Sequence, residues 1–362
     1  MRGKVRGQIG MLSVETPEKR VPANHPLRKV KTLADAALRQ LDGEFERMYE
    51  RRGRESVPPE RLLKASLLMA FYTIRSERLL CEQIEYNLLF RWFLDMDMVE
   101  EWINHSTFSR NRERLMREDV AAKFLAAVVA QAKAQRLMTD EHFSVDGTLI
   151  QAWASTKSFQ PKDEPTDKDG PGASSNRWMD FKGEKRSNET HESKTDPAAK
   201  LMRKSSGQEA KLCYSGHVMM ENRHGLIADV LVTPSVGVTE SEEALTMMER
   251  TCRSNRNRTV GADRGYDNRG FVDTSRHIGF TPHVVQNDSR RGGSAIDGRT
   301  TSSPGYAKSV RCRIRIEEVC GRMRTVGGLR RTRLRGLAKN QLLSYLVASA
   351  YNLIRMAKLC TA

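Results

Sequence analysis

The hydrophobic period changes once along this chain, near Met138, and that change limits the folds open to it. Before it, apolar residues recur every three or four positions, the spacing of amphipathic helices. From Leu27 to Tyr49 they fall at Leu33, Ala37, Leu38, Leu41, Phe45 and Met48, which predicts one helix. Arg51 to Val57 interrupt it. Pro58 and Pro59 open a second helix, because proline's missing N–H is no loss in a first turn. Its Leu62, Leu63, Leu67, Leu68, Phe71 and Ile74 are too apolar to face water. Ser76 is placed to cap Glu77 to Leu89, and Ser106 or Thr107 to cap a polar helix beginning at Phe108. Val120 to Leu137 forms another long helix. Residues 25–138 are thus expected to be an all-helical domain, preceded by a basic flexible tail at 1–24.

After Met138 the runs are short and β-like: His142 to Ile150, Lys211 to Met220, Leu226 to Thr233, Thr259 to Asp263 and Pro282 to Gln286. Helical stretches at Glu240 to Arg253 and Asn268 to Ile278 lie between the later ones, and Leu337 to Leu359 is a closing amphipathic helix. The order β, β, β, α, β, α, β, then helix suits a mixed sheet covered by helices, so the fold class is α+β with a second domain at 139–362. Between the first two runs, 156–209 is polar and poor in apolar residues. It is expected to be a long loop or disordered insertion, with Trp178 and Phe181 able to dock locally.

Lys and Arg number 61 against 45 Asp and Glu, a formal charge of +16. The excess is concentrated. Lys308 to Arg335 holds ten basic residues and two acidic ones, and Arg2 to Lys31 holds eight against two. Such clustering suits phosphate binding, since each neutralised phosphate releases condensed counterions. The longest uncharged stretch, Asn340 to Ile354, has 15 residues, short of the ~20 that cross a bilayer. The N-terminus lacks a secretory apolar core, and the six cysteines form no CxxC pair, so reduced thiols in a cytoplasmic protein are expected.

Three carboxylates stand where rigid elements can hold them. Asp146 ends EHFSVDGT, Asp263 ends TVGAD, and Glu317 lies in RCRIRIEEVCGRMR. Taken singly, an Asp before Gly is turn chemistry. Together, in this order, they can converge on hard divalent cations, which favour oxygen ligands, and two such ions support phosphoryl transfer. Arg313, Glu317 and Arg324 recur at four and seven residues, one helix face. An ordinary i,i+4 ion pair and a phosphate grip beside a metal-holding carboxylate both fit that spacing. Other motifs fail: Gly293 to Thr300 nearly spells a phosphate-cradling loop but has Arg299 where Lys belongs and no helix predicted after it, and His191-Glu192 lacks the second His of a zinc helix.

The segments VDGTLIQAWAS (Val145 to Ser155), DPAAKLMRKSSGQEAKLCYSGHVMMENRHGLIAD (Asp196 to Asp229), GADRGYD (Gly261 to Asp267), TPHVVQN (Thr281 to Asn287) and RIEEVCGRMRTVGGLRRTRLRG (Arg315 to Gly336) closely resemble DDE transposases of bacterial insertion sequences, specifically insertion-sequence family five. The resemblance runs from about His25 to the C-terminus. It implies an RNase H-like core behind the helical domain, with Asp146, Asp263 and Glu317 as the metal-binding triad and Glu318 as the lesser candidate. It further implies two Mg²⁺ ions, replaceable by Mn²⁺, and binding to inverted-repeat ends and target DNA as a homo-oligomer, in a bacterial, nucleoid-associated protein. Arg313 and Arg324 would hold phosphates. Arg110, Arg112 and Arg114 on the polar helix are candidate readers of the ends. The chain departs from the pattern at Arg324, where Lys is usual, at Val310, where Tyr often stands, and at Cys320, Gly321 and Arg322. A nuclease that only cuts, and a decayed copy that binds without catalysis, are the alternatives.

Overall fold

The computed structural model describes residues 16–49, 56–117, 119–162, 187–203, 207–237, 239–251, 258–289 and 292–360. The N-terminal part is helical throughout: α1 (Pro17–Arg20), α2 (Leu27–Arg39), α3 (Asp42–Met48), α4 (Pro59–Phe71), α5 (Glu77–Tyr86), α6 (Leu88–Phe93), α7 (His105–Arg117) and α8 (Val120–Ala134). The single helix expected from Leu27 to Tyr49 is broken at Gln40 and Leu41. The apolar stripe survives the break, since Leu41 and Phe45 are both buried in the same core as Leu33 and Leu38. Ser76 caps α5 as expected, through Oγ accepting from Leu79 N. The polar helix starts three residues earlier than expected because Asn104 caps it, its Oδ1 accepting from Thr107 N at 2.9 Å. The tail reading is corrected for 16–24. There Val21 is buried, and Glu18 pairs with Arg28 and accepts from the Trp92 indole, so that stretch is docked.

The C-terminal half comprises β1 (His142–Gln151), β2 (Phe159–Pro161), β3 (His191–Ser193), β4 (Lys200–Met202), β5 (Lys211–Glu221), β6 (Ile227–Pro234), α9 (Glu240–Thr251), β7 (Arg258–Ala262), α10 (Arg269–His277) and β8 (Phe280–Val284). Helices α11 (Gly298–Thr301), α12 (Pro304–Arg313), α13 (Arg315–Thr325) and α14 (Leu337–Leu359) follow. The five expected runs form one sheet. Strand β1 pairs antiparallel with β5 and parallel with β7; β7 pairs parallel with β8; β6 and the short β4 share the far edge of β5. Counting those five runs alone, the order is 3-2-1-4-5 with the second strand reversed.

Alternation along β1 divides its side chains between two cores. Phe143 and Val145 pack with Met247, Met248, Phe271 and Val272 from α9 and α10. Ile150 joins the larger core of α13, α14 and the N-terminal helices, which runs without a break from Val21 to Ala357. Packing therefore crosses the expected boundary at 138.

The polar insertion is also corrected. Residues 163–186, with Trp178 and Phe181, lie outside the described residues. Its flanks are folded: β2 pairs with β3, Phe159 stacks on His191 at 5.5 Å, and β4 joins the main sheet. Asp196, 1% exposed, accepts from the Tyr214 hydroxyl and from Gly336 N. Polar side-chain bonds anchor this segment together with Phe159 and Ala199, which are buried in the larger core.

Candidate active site

Asp146 lies in the middle of β1, opposite Val218 of β5. Its Oδ1 accepts from the next backbone N–H, that of Gly147, at 2.9 Å. Burial pushes its carboxyl up to about 6, and the charges of Asp263 and Glu240 act in the same direction. Asp263 directly follows β7, the parallel neighbour of β1, and caps the turn after it through Gly265 N at 2.8 Å. Adjacent parallel strands thus bring two carboxylates 117 residues apart into mutual electrostatic range.

A third carboxylate joins them that sequence reasoning missed. Glu240 opens α9, and a Cβ at Gly147 would lie 2.5 Å from its Cδ and Oε1. Only a glycine leaves that approach open. Burial raises the Glu240 carboxyl, and Asp263 raises it further. Tyr266 is fully buried against the group; burial and the charges of Glu240, Asp146 and Asp263 hold its hydroxyl well above its ordinary range.

The basic helix approaches from the other side of β1. It packs beside Gly261 of β7, where a Cβ would rest in ordinary contact with Arg313 Cβ at 3.7 Å and crowd only Ser144 Oγ, at 3.2 Å. Arg313 and Glu317 belong to successive helices, α12 and α13, rather than to one. Ile314 between them keeps helical dihedrals, so the face is preserved and Arg313 Nη2 stands 4.0 Å from Glu317 Oε1. Glu317 is 63% exposed, while Arg313 is 16% exposed with its Nε buried and unbonded, as is Nε of Arg324. The buried Cys320 thiol feels charges of both signs. Burial, Asp146 and Glu317 push its thiol up to about 12, against Arg324. Glu318 turns the other way, its charge acting on Tyr351 of α14.

Among the described residues, no three His, Cys, Asp or Glu side chains stand close enough together to hold a metal ion. The donors do fit one chemically. Asp146, Asp263 and Glu317 offer only carboxylate oxygens, the ligands of hard divalent cations. Asp146 is moreover a desolvated carboxylate beside other carboxylates, a place where a cation relieves the charge.

On α7 the three expected arginines separate. Arg110 and Arg114 are exposed, with Arg114 over the Tyr49 ring at 5.1 Å. Arg112 turns inward, 12% exposed and paired with Glu77, so it does not face solvent as expected. Arg117, which the sequence reading passed over, is exposed and continues the face of Arg110 and Arg114 at i+7 and i+3. Glu113, on another face of the helix, is engaged by Lys339 of α14 at 2.9 Å.

A 3-2-1-4-5 mixed sheet with a carboxylate on its first strand, another directly after its fourth and an acidic, basic-flanked helix beside them defines an RNase H-like core of the DDE type. The family models agree: residues 138–353 match the transposase DDE domain and residues 15–114 match a transposase domain (DUF772). The DDE match spans more than half the chain, and the protein belongs to that transposase family, enzymes that cut and join DNA. No curated protein sequence matches it. Among solved structures, the chain is similar to a piggyBac transposase synaptic complex with hairpin DNA, at 9% identity, covering 93% of this chain and 76% of that one with a TM-score of 0.39. It is also similar to the Mos1 strand transfer complex, at 12% identity, covering 89% and 83% with a TM-score of 0.24. Neither likeness bears on the assignment. Among the described residues no helix is long and apolar enough to cross a membrane.

Proposed function

We propose that this transposase serves an insertion sequence of family five, recognising its terminal inverted repeats and joining the freed 3′-hydroxyls to target DNA. The observation that carries this reading is the pairing of parallel β1 with β7, which brings the charge of Asp263 to bear on the buried Asp146, while the charges of Asp146 and Glu317 both act on Cys320. Asp146, Asp263 and Glu317 would hold the metal ions. Two Mg²⁺ ions, or Mn²⁺ in their place, would activate the attacking oxygen and stabilise the leaving one. Arg313 and Arg324, each with an unbonded buried Nε, hold the phosphates flanking the scissile bond in line for attack. Gly147 N–H and Gly265 N–H fix the two aspartates in orientation before DNA arrives. Arg110, Arg114 and Arg117 form the face of α7 that reads the ends, and two copies act together on paired ends.

The test supplies the inverted repeats flanking the reading frame, with Mg²⁺, and separates bound, cut and joined DNA. Joined product supports the proposal; cut but unjoined DNA marks a nuclease, and intact bound DNA a decayed copy. Glu317→Gln is expected to lower cleavage by about 10²-fold or more, as loss of one preorganised electrostatic contact does, with end binding changed less than about threefold. Glu318→Gln should cleave normally. The reverse result moves the acid by one residue.

A further inference from the structure

Two residues beyond the end of β1, Trp153 exposes 39% of its surface. Arg331 Cζ stands 5.0 Å from its ring centroid and Arg333 Cζ 5.5 Å. The backbone fixes this arrangement. Gln151 N donates to Arg330 O at 3.2 Å, Thr332 N donates to Gln151 O at 2.9 Å, and the Arg75 guanidinium donates to Arg331 O. Thr332 is itself buried, so its two exposed neighbours are held on the indole side of a rigid turn. Among the described residues neither guanidinium forms an ion pair.

Each half of this cluster is unfavourable alone. The 39% of Trp153 left exposed forfeits burial, and two guanidinium groups converging on one ring repel each other without an anion. The occupant that relieves both offers a flat π-face and a negative charge together, which is the chemistry of a nucleotide. Duplex DNA hides its base faces in the stack. The occupant with a free face is an unpaired nucleotide.

We propose that Trp153, with Arg331 and Arg333, is a stacking site for an unpaired base of the DNA strand. It rests on the reading above that the chain binds DNA. Seven residues separate Trp153 from Asp146, at most roughly 23 Å of extended chain. The stacked base therefore lies within about seven base-pair rises of the phosphate at the aspartates.

The test uses the full-length protein and two fluorescent probes: a blunt duplex of the element's end, and the same duplex with a five-thymidine single-stranded 3′ tail. Wild type should bind the tailed probe about 5- to 100-fold more tightly, the equivalent of one stacked base. Trp153→Ala should abolish that preference and leave blunt binding within twofold; Trp153→Phe should keep most of it. A tail of abasic sites should behave as Trp153→Ala does. Quenching of tryptophan emission by a ten-thymidine oligonucleotide, present in wild type and absent in Trp153→Phe, reads the same contact if the alanine variant misfolds. The proposal is overturned if the abasic tail binds as well as thymidine, if Trp153→Ala keeps the preference, or if it loses blunt binding equally. Wild type that binds the tail through Trp153 but ignores the blunt end upholds the stacking site and overturns end recognition. Binding to neither probe overturns both.

Discussion

Replacing Tyr214 by Phe should loosen a segment that the sequence alone presents as unstructured. The Tyr214 side chain is fully buried on β5, its hydroxyl donating to the Asp196 carboxylate and accepting from Gly336 N at 3.1 Å. Burial and the Asp196 charge raise the phenol well above its ordinary range, so it remains a donor across the working pH. Phe removes both bonds and no packing volume beyond the oxygen. Asp196 keeps Gly336 N, 3.3 Å from each of its oxygens. A hydrogen bond to a charged acceptor contributes about 1.5–3 kcal/mol, which sets the expected loss. Asp196→Ala should also destabilise, by about 1–3 kcal/mol, because it leaves the buried Tyr214 hydroxyl without its acceptor while Gly336 N keeps the Tyr214 oxygen. Urea unfolding gives the losses, and a double-mutant cycle with Asp196→Asn isolates the coupling. Trypsin then localises the effect: Lys194 and Lys200 should resist in the wild type and be cut early in Asp196→Ala. A Tyr214→Phe loss below about 0.5 kcal/mol, or early cutting at those lysines in the wild type, would refute the anchoring.

Three further outcomes follow from the geometry. His283 is buried, with Nδ1 bonded to Ser309 Oγ at 2.6 Å, its ring edge-on to Tyr306 and His142 nearby, and burial lowers it from 6.5 to about 4. Its neutral form therefore contributes stability that is whole above pH 6.5 and lost as pH falls toward 4, about 1–3 kcal/mol at the lower limit; His283→Gln should flatten urea midpoints across that window, and an unchanged slope rejects the assignment. Arg114→Ala should weaken end binding and reduce the salt slope by about 0.9, whereas Arg112→Ala should leave that slope alone and lower stability by unpairing Glu77, so equal slope changes would count against α7's outer face. Gly147→Ala should keep the fold, since the clash is with the mobile end of Glu240, but should raise the Mg²⁺ needed for half-maximal cleavage several-fold; an unchanged requirement removes Glu240 from the site.

What was legible in the sequence was whatever local periodicity encodes. All five β runs and the closing helix were found, because β1, β5, β6, β7 and β8 alternate or run apolar and α14 keeps its stripe over 23 residues. Breaks inside a continuous stripe were not. The Leu41 turn leaves Leu41 and Phe45 buried on the same side, so the pattern reads through it, and Ile314 divides α12 from α13 while keeping helical dihedrals. The folded flanks of 156–209 were illegible for a different reason. Beside the scattered apolar Phe159 and Ala199, they are held by single polar groups, Asp196, Ser193 and Asn188, whose partners Tyr214, Ser158 and Leu201 O become visible only once the chain is folded.

The same distinction explains why Asp146 and Asp263 were singled out and Glu240 was not. The two aspartates each terminate or interrupt an apolar run, so a charge there is locally anomalous and asks for a reason. Glu240 begins ESEE, and acids in a first helical turn already have one, the favourable interaction with the helix dipole. Its distinguishing feature lies 93 residues away, in the missing side chain of Gly147. A glycine in mid-strand weakens the strand unless something must come close. Gly147 sits between Asp146 and Thr148 with no turn to make, paired squarely with His217. Read that way, the Asp-Gly that first suggested a turn was instead the signal for an approaching group. The acid at the start of α9, delivered by the connection from the neighbouring strand pair, is the group that takes the space.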